Sequence, residues 1–568
     1  MPEAAGTTQL PAPPGDSSGT LAGMRCTRSI TLLLAACLAL AGCTTYHSTA
    51  APERQAAGGQ RPARYYQAQL MADDGTLIRF TVYQPPLAPG ATAPLILHTH
   101  GFGLHRMARP HFSLYATFLE PGKAARLAWQ RGYWVISYDQ RGHGDSGDVA
   151  HVLEPAREGR DVTTLLDWAT RHLALTTVNG DPRVGMLGES YGGGIQGIAS
   201  ALDPRIDAVI PITTWYDLDA ALVPNDVPKS AWLTTLITIG SLLARLDPVL
   251  EEGYRTAMEG RMDPAVRAML SSHSLAAFCA RGEYPAADAL LVQGFRDVLF
   301  PVNDALAARD CWARSGRDVR LVAIEHGHLA PTAQWSPSLK PWHMASTVTC
   351  GGRELPLRSL FLAWFDAKLK DDAAAADDIP RFCFTGDAMV DAALRPPDRV
   401  PFPVPPVSVG GGASGLHEWL LRPLDRAANL FRPARLPPDW QRVRDGRARP
   451  ARVPLLVAER PTWVAGVPQA DLVISATDRP GAIVFLRLAA WRPGAGSYRV
   501  LSQQVTPVRG EGRHRLDLAA VRYRLDRDEV LGLLVQVHSN QFRGTGSGPR
   551  TRATLEGRVE IPLAAASP

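Results

Sequence analysis

The chain has 568 residues, 45% of them hydrophobic and 20% charged, which is enough to build two or three globular domains with large cores. Its 60 basic and 55 acidic side chains leave a formal net charge of +5, a small value for this length. The basic residues are spread along the chain rather than clustered, so the sequence argues against a nucleic-acid-binding surface.

Residues 1–43 read as an upstream segment followed by a lipoprotein signal peptide. Two arginines after Met24 precede an apolar run at residues 30–41, which is too short to span a bilayer comfortably. The sequence ending at Cys43 resembles the lipidation site of bacterial lipoproteins. We therefore expect Met24 to start the protein, Cys43 to carry lipid at the outer membrane facing the periplasm, and residues 44–64 to form a tether. An ordinary signal peptide cleaved beside a cysteine is the alternative.

Four cysteines remain after Cys43, an even number that predicts two disulfides in an oxidising compartment. We expect Cys350 to pair with Cys383, because both flank the expected last helix of the first domain. The other two are Cys279 and Cys311. No spacing of cysteine and histidine resembles a zinc site.

From residue 65 to about residue 375, short apolar strands alternate with helices, which predicts a parallel sheet covered on both faces. The first two strands are expected to form an antiparallel hairpin. A helix is expected from Asp161, and the last helix of this domain at residues 357–369. The expected strands are 67–70, 77–83, 94–100, 133–138, 183–189, 206–212, 289–294 and 319–324.

A helical cap is expected to interrupt this domain at residues 213–288. Helical patches at residues 231–246 and 263–270 replace the strand pattern there. Trp215 and Tyr216 follow the carboxyl end of a strand, so they either line the substrate pocket or pack beneath the cap.

One strand-to-helix turn carries a nucleophile motif. Ser190 lies in the sequence Gly188-x-Ser190-x-Gly192, between an apolar strand and a helix. In such an elbow the serine takes a strained backbone conformation, needs small neighbours, and exposes its hydroxyl to substrate and base. Ser190 is the candidate nucleophile, and the alternative is a plain glycine-rich turn in a chain with 50 glycines.

The acid and the base of such a site come after the serine, at the ends of later strands. Asp297 directly follows the strand at residues 289–294 and is the candidate acid. Asp304 and Asp310 are competitors, but both fall within the next helix, and we expect them on its solvated face.

Two histidines follow the strand at residues 319–324, and both are candidates for the general base. We favour His328 over His326, because a glycine before the histidine and an apolar residue after it are the usual setting of this base.

The oxyanion hole is expected to use the backbone N–H groups of Tyr191 and Phe102. Tyr191 follows the nucleophile, and Phe102 lies in a glycine turn at the end of an earlier strand. His143 and Asp145 lie near the same rim but precede the serine. We expect them to fix their loop by hydrogen bonds, with Arg141 paired to a carboxylate.

Three motifs together resemble one family of serine hydrolases. They are Gly-Glu-Ser190-Tyr-Gly-Gly, Gly-Phe-Arg-Asp297-Val-Leu-Phe-Pro and Gly-His328. They look like the X-prolyl dipeptidyl-peptidase (S15) and cocaine-esterase-like (CocE/NonD) family. The resemblance implies an α/β-hydrolase domain with an inserted helical cap, followed by an all-β, jelly-roll-like sandwich domain. In the cocaine-esterase-like members a tyrosine side chain serves in the oxyanion hole, whereas Phe102 stands in the matching loop here.

The remaining chain fits this implied architecture. A Pro-rich linker is expected at residues 376–440 and a β-sandwich at residues 441–568, because short strands recur there at regular spacing. The expected strands are 471–476, 482–489, 498–505, 514–518, 531–538 and 551–561.

The sequence therefore predicts a serine hydrolase that cleaves a small ester, amide or peptide substrate, X-Pro dipeptides included, through a triad of Ser190, His328 and Asp297. This chemistry requires no metal and no organic cofactor. Two alternatives stay open: an acyltransferase with the same triad, and an inactive lipid-anchored binding protein. The only expected membrane contact is the lipid anchor.

Overall fold

The structure is a computed structural model that describes residues 61–111, 113–324, 327–328, 346–350, 352–384, 399–410, 440–442, 450–478, 480–539, 541–542 and 551–565. The expected signal peptide, Cys43 and most of the tether lie outside the described residues, as does His326. None of the helices within these ranges is long and apolar enough to cross a membrane.

A nine-stranded sheet forms the centre of the first domain. The first two strands form the expected hairpin, the second pairs antiparallel with Trp134–Tyr138, and all other neighbours are parallel. Every residue of Leu95–Thr99 is buried, as expected for a strand covered on both faces. In spatial order the strands are Arg64–Met71, Leu77–Gln84, Trp134–Tyr138, Leu95–Thr99, Val184–Glu189, Ile206–Ile212, Asp288–Gly294, Val319–Ile324 and Phe382–Phe384.

Helices cover both faces of this sheet and bury two apolar layers. Leu95 and Leu97 belong to one layer and Ile96 to the other, because successive side chains of a strand point to opposite faces. The helices over the first layer are Arg160–His172, Tyr191–Leu202 and Val302–Trp312, and those over the second are Glu120–Gln130 and Leu357–Leu369. Shorter elements of this domain are Leu114–Phe118, the π-helix Pro155–Gly159, the 3₁₀ turns Ala313–Ser315 and Ala373–Ala376, and the strand pairs Thr177–Val178 with Asp181–Pro182 and Thr347–Cys350 with Arg353–Pro356.

Helical elements occupy the predicted cap region. Asp217, Asp247 and Asp263 each accept a backbone amide at the start of one of these helices, which satisfies donors that the helix itself leaves unpaired. Ser230–Leu243, hereafter the cap helix, contains no charged residue and begins directly after Lys229. The cap elements are Leu218–Leu222, the 3₁₀ turn Pro224–Asp226, Ser230–Leu243, Pro248–Met258, Pro264–Ser272 and Leu275–Ala280.

Two six-stranded antiparallel sheets follow in the C-terminal region. They bury a common core, in which Leu472 and Leu555 of one sheet lie with Leu486 and Leu533 of the other. The first sheet contains Gly512–Asp517, Gln469–Thr477, Arg552–Ala565, Thr462–Gly466, Val521–Leu525 and Arg399–Gly410. The second contains Trp440–Arg442, Ser497–Val500, Ile483–Trp491, Val530–Gln536, Ala451–Val457 and Thr506–Arg509. A jelly-roll topology for these sheets stays a prediction.

The prediction of a linker at residues 376–440 was wrong in two places. Phe382–Phe384 is the last strand of the central sheet and pairs with Val319–Ile324. Arg399–Gly410 pairs with Arg552–Ala565 and belongs to the C-terminal sheets. The first strand is only three residues long, which is too short to give a clear sequence pattern. The second contains four prolines, and because proline lacks the N–H donor that a sheet uses, its sequence reads as a linker and not as a strand.

The C-terminal sheets contact the first domain at the cap and at the helix Val302–Trp312. Val227, just before the cap helix, is fully buried in an apolar cluster whose other members belong to the C-terminal region. Those members are Ile483, Phe485, Val505 and Phe542. The Asn303 side chain donates to the carbonyl of Leu518 at 3.0 Å and accepts the amide of Ala520 at 2.8 Å.

Two disulfides join elements of the first domain. Cys350 is bonded to Cys383, which connects the strand Thr347–Cys350 to the last strand of the central sheet. Cys279 is bonded to Cys311, which connects the cap to the helix Val302–Trp312.

Candidate active site

Ser190 lies in the turn between the strand Val184–Glu189 and the helix Tyr191–Leu202. Its backbone has φ 55° and ψ −117°, a conformation that costs an L-residue on the order of 1–3 kcal/mol. Hydrogen bonds hold it there, because the Ser190 carbonyl accepts the amide of Gly194 at 2.9 Å and the hydroxyl of Thr214 at 2.9 Å. The turn therefore has the geometry of a nucleophile elbow.

The glycines of the motif allow this turn to pack against the neighbouring strand. A Cβ atom on Gly192 would lie 2.7 Å from the backbone carbon of Thr99, and one on Gly188 would collide with the Thr99 hydroxyl. That hydroxyl donates to the Gly192 carbonyl at 2.6 Å. A side chain at either position would push the nucleophile away from the sheet edge.

Asp297 lies in the turn that follows the strand Asp288–Gly294, and only 1% of its surface is exposed. Its Oδ1 accepts the backbone amides of Leu299 at 2.9 Å and Phe300 at 2.7 Å. A carboxylate held by backbone donors is fixed in orientation before any substrate arrives.

His328 lies four residues after the strand Val319–Ile324 and pairs with Asp297. Its Nδ1 donates to Oδ2 of Asp297 at 2.6 Å, and its backbone amide donates to the same oxygen at 3.0 Å. The His328 carbonyl in turn accepts the amide of Val298 at 3.0 Å. Because Nδ1 is engaged by Asp297, Nε2 is the ring nitrogen that remains to accept a proton.

The net effect of its surroundings raises the pKa of His328. Burial is the largest influence and lowers the pKa, but the Asp297 carboxylate outweighs burial, with a smaller contribution from Glu189. The positive charge of Lys229 opposes these carboxylates. The edges of two rings contact the imidazole: Trp232 of the cap helix at 5.9 Å and Phe300 at 5.3 Å between ring centroids.

The side chains of the two residues expected in the oxyanion hole lie beside each other. The rings of Phe102 and Tyr191 are 5.5 Å apart, and neither backbone amide has an acceptor among the described residues. The hydroxyl of Tyr191 is buried, accepts the amide of Leu153 at 3.2 Å and donates to Glu158 at 3.4 Å. This side chain is thus occupied inside the protein, and only the backbone of Tyr191 is available to an oxyanion.

The two expected pocket residues contact the interior. Trp215 is buried, and its ring lies 5.1 Å from that of Phe300 and 6.5 Å from that of Tyr191. Tyr216 is half-buried, and its backbone amide donates to Asp304 at 3.2 Å. Both lie near the triad elements, and their role in a substrate pocket stays a prediction.

The competing aspartates differ from each other in their surroundings. Asp310 is exposed, as predicted. The prediction of a solvated face was wrong for Asp304, which accepts the Tyr216 amide and whose pKa is raised by burial. The helix Val302–Trp312 places this half-buried residue in contact with the cap, which its position in the sequence did not reveal.

The polar residues before the serine fix their loop, as predicted. His143 Nδ1 donates to the Arg141 carbonyl at 2.8 Å. The Arg141 guanidinium pairs with the buried Asp161 at 2.7 Å. Asp145 accepts from Arg106 at 2.9 Å.

Sequence reasoning missed two buried residues beside the site, Lys229 and Glu158. Glu158 contacts Tyr191 from the π-helix, and Lys229 contacts the turn that carries Asp297. For Lys229 a signal was present, since it is a charged residue directly before a charge-free helix. For Glu158 nothing in the sequence distinguished it from a surface glutamate.

The fold and the elbow are those of an α/β-hydrolase, and the hydrogen-bonded Asp297 and His328 follow two later strands of the sheet. The sequence model of the family X-Pro dipeptidyl-peptidase (S15 family) matches residues 74–329. The predicted family resemblance is therefore confirmed over the hydrolase domain and its cap.

Two curated relatives from Escherichia coli are 27% identical over 198 residues, and each is named an uncharacterized 31.7 kDa protein in the traX-finO intergenic region. The match covers 34% of this chain and 60% of each relative. This chain therefore spans less than two thirds of the length of the curated relatives it matches.

Solved structures with the same fold cover nearly the whole chain. A CocE/NonD family hydrolase from Staphylococcus aureus is 11% identical with a TM-score of 0.59, and covers 92% of this chain and 100% of its own. An aminopeptidase from a marine sediment Thaumarchaeota archaeon is 15% identical with a TM-score of 0.60, over 92% and 99%. An alpha-amino acid ester hydrolase is 16% identical with a TM-score of 0.54, over 88% and 97%. At these identities the likeness establishes the fold.

Proposed function

We propose that this protein is a serine hydrolase that cleaves a small ester or amide substrate, with Ser190 as nucleophile, His328 as general base and Asp297 as the acid. The observation that carries the proposal is the 2.6 Å hydrogen bond between His328 Nδ1 and Asp297, at the same sheet edge as the strained serine. The match to a hydrolase family over residues 74–329 supports it.

The mechanism follows from these contacts. His328 Nε2 removes the proton of the Ser190 hydroxyl as its oxygen attacks the substrate carbonyl, and Asp297 stabilises the imidazolium that forms. The imidazolium then gives its proton to the leaving alcohol or amine. Water, activated by the same histidine, attacks the acyl-enzyme and releases the acid.

Backbone amides carry the oxyanion in this proposal. The N–H groups of Tyr191 and Phe102 would bind the negative oxygen of the tetrahedral intermediate, each stabilising it by about 3 kcal/mol. The Tyr191 hydroxyl has no part in this step, because Glu158 and the Leu153 amide already engage it.

The first experiment labels the purified protein with a fluorophosphonate probe. Wild type should label, whereas Ser190→Ala and His328→Ala should not. Ser315→Ala and His514→Ala, which remove a serine and a histidine outside the site, serve as matched controls and should label like wild type. If only His328→Ala still labels, His326 is the base.

A folded wild type that does not label would overturn the proposal and favour the inactive binding protein. After labelling, hydrolysis of short acyl esters and of X-Pro and aminoacyl amides is compared, because named neighbours include an aminopeptidase and an amino acid ester hydrolase. A product carrying the acyl group on an added alcohol or amine would identify an acyltransferase.

We further propose that Cys43 anchors the enzyme by lipid in the bacterial outer membrane, facing the periplasm. The proposal is supported by the apolar run and the Leu-Ala-Gly-Cys43 sequence, together with the two disulfides in the structure. In cells fed a radioactive fatty acid, wild type should incorporate the label and Cys43→Ser should not. Equal incorporation would show that Cys43 is not the lipidation site.

A further inference from the structure

Lys229 is a buried cation at the start of the cap helix. Only 1% of its surface is exposed, and it is among the largest fully buried side chains of the described residues. Removing an ammonium group from water costs several kcal/mol unless it gains strong partners. The groups around Lys229 must therefore compensate its charge and accept hydrogen bonds from its ammonium group.

The Nζ of Lys229 donates to the carbonyl oxygen of Leu299 at 2.6 Å. Leu299 lies two residues after Asp297, and its amide is one of the two that hold the Asp297 carboxylate. From the sheet side, Gln293 Nε2 donates to the carbonyl of Phe300 at 2.7 Å. The turn that presents the acid is thus held from the sheet by Gln293 and from the cap by Lys229.

The charge of Lys229 also acts on the triad. The carboxylates of Asp297 and Asp304 face the ammonium from the turn and from the helix Val302–Trp312, and they oppose the lowering of its pKa by burial. His328 is influenced by three charges: Asp297 and Glu189 raise its pKa, and Lys229 lowers it. Lys229 is therefore a positive charge that counteracts two carboxylates at the base.

We propose that Lys229 is a positioning residue of the triad, which fixes the Asp297 turn from the cap and places a positive charge near His328. The inference rests on the proposed hydrolase function. Because the base must be uncharged to accept the proton of Ser190, a cation that opposes protonation of His328 widens the pH range in which the enzyme works. Its hydrogen bond keeps the Asp297 carboxylate aimed at Nδ1.

A role in stability alone would leave the pH profile of the folded enzyme unchanged when Lys229 is replaced. Lys229→Met leaves the Leu299 carbonyl without its donor and the carboxylates of Asp297 and Asp304 without their cation, and removal of one partner from a buried charge pair is destabilising. This variant is therefore expected to be less stable than wild type, so its activity is measured under conditions in which it is folded. Lys229→Gln keeps a hydrogen-bond donor without the charge, and Lys229→Arg keeps the charge.

The test measures kcat/KM against pH for an ester that wild type hydrolyses. Lys229→Met should lower kcat/KM roughly 10- to 100-fold, because the acid turn loses its hydrogen bond to the cap. The acidic limb of its kcat/KM–pH profile should shift upward by about 0.5 to 1 pH unit, since removal of the cation raises the pKa of His328. Lys229→Gln should show the shift with a smaller loss of rate, and Lys229→Arg should restore the wild-type limb.

The matched control is Lys368→Met, which removes a partly buried ammonium that contacts Asp288 and Asp318 near the opposite ends of two sheet strands. It should keep the wild-type pH profile. If Lys229→Met does not fold, Lys229→Gln carries the same test of the acid limb. An unchanged acid limb in the folded variants overturns the inference, while a wild type inactive on every ester and amide overturns the proposed function instead.

Discussion

Asp297 receives hydrogen bonds on both carboxylate oxygens, and all four partners are N–H donors. One oxygen binds the amides of Leu299 and Phe300, and the other binds the amide and the ring of His328. No rotamer of an amide side chain fits these donors, because its NH₂ group would face two of them. The site is therefore built for a carboxylate.

Asp297→Asn should lower kcat about 10⁴-fold, because the amide NH₂ faces N–H donors and favours the wrong tautomer of His328. The measurement is the rate of fluorophosphonate labelling together with kcat on an ester. Asp310→Asn, on an exposed position of the next helix, is the control and should behave as wild type. A variant within tenfold of wild type would remove Asp297 from the triad.

Glu158 is a buried carboxyl group next to Tyr191. Its Oε1 accepts the amide of His151 at 2.8 Å and the hydroxyl of Tyr191 at 3.4 Å, and Oε2 has no hydrogen-bond partner in the described part of the chain. Burial raises the pKa of Glu158 to about 7. The folded protein therefore prefers this group protonated, and stability from this source falls as pH rises from about 4.5 to 7.

Glu158→Gln should stabilise the protein at pH 8 and leave it almost unchanged at pH 4.5, since the amide never ionises. The expected gain at pH 8 is up to about 3 kcal/mol, from the size of the pKa shift. Urea unfolding at the two pH values measures it, with Glu154→Gln, a more exposed neighbour, as control. A gain that is equal at both pH values would rule out ionisation of Glu158 as the cause.

At the residue scale, the sequence predicts the positions of those side chains that follow a strand of the parallel sheet. Ser190, Asp297 and His328 each follow an apolar strand, and parallel strands bring their carboxyl ends to one edge. Lys229 and Glu158 reach the same site through the packing of the cap and of a π-helix. The charged Lys229 before a charge-free helix is a local signal of burial, but no local pattern shows which turn it contacts, and Glu158 has no such signal.

At the scale of elements, the disulfide between Cys350 and Cys383 joins two short strands on either side of a helix. That helix, Leu357–Leu369, covers the second apolar layer of the sheet. The strand Phe382–Phe384 has only three residues with which to pair. The covalent link therefore holds an edge of the sheet that hydrogen bonds alone hold weakly.

Cys350→Ala with Cys383→Ala should lower the free energy of unfolding by about 4 kcal/mol, because the bond closes a loop of 33 residues in the unfolded chain. Guanidinium unfolding of the oxidised proteins measures this loss. Activity at low denaturant should persist, since neither cysteine contacts the triad residues. A midpoint equal to that of wild type would show that the link contributes nothing to stability.

Elements were predictable where apolar spacing is regular. The helix Leu357–Leu369 has the bounds that its sequence predicts, and the hairpin at Arg64–Met71 and Leu77–Gln84 differs from its predicted bounds by only a few residues. Arg399–Gly410 escaped because four prolines make it read as a linker, although a strand with one paired edge tolerates proline. Its partner, Arg552–Ala565, lies more than 140 residues away, and single-sequence patterns carry no information on such pairing.

At the scale of the whole molecule, the C-terminal sheets pack against the segment that leads into the cap helix. Val227 is buried among C-terminal side chains, and two residues later Lys229 binds the Asp297 turn. Asn303, near the start of the helix after that turn, is hydrogen-bonded to the same C-terminal region. The C-terminal region thus supports the site without contributing a residue of the proposed triad.

Val227→Ala should cost about 1–3 kcal/mol of stability through the cavity it leaves, and it should lower kcat/KM several-fold because the cap is less firmly seated. Limited proteolysis within the cap and ester hydrolysis are the two readouts. Val473→Ala, on an exposed position of the C-terminal sheets, is the control. Wild-type values in both readouts would show that the two parts of the molecule are independent.

Two domains were predicted from composition and strand spacing, but their contact was not, since it joins residues nearly 300 positions apart. Asn225, for example, donates to the carbonyl of Pro507 at 2.9 Å. Such contacts depend on how the two folded surfaces match.

The strand Arg552–Ala565 pairs with three others, Arg399–Gly410, Thr462–Gly466 and Gln469–Thr477. A growing polypeptide that has passed residue 328 already contains the three residues of the proposed triad, yet it lacks the strand around which this sheet assembles. The nascent chain is therefore expected to become active only after more than 200 residues beyond His328 have been synthesised. Translation halted before residue 552 should yield chains that carry Ser190 but react slowly with the fluorophosphonate.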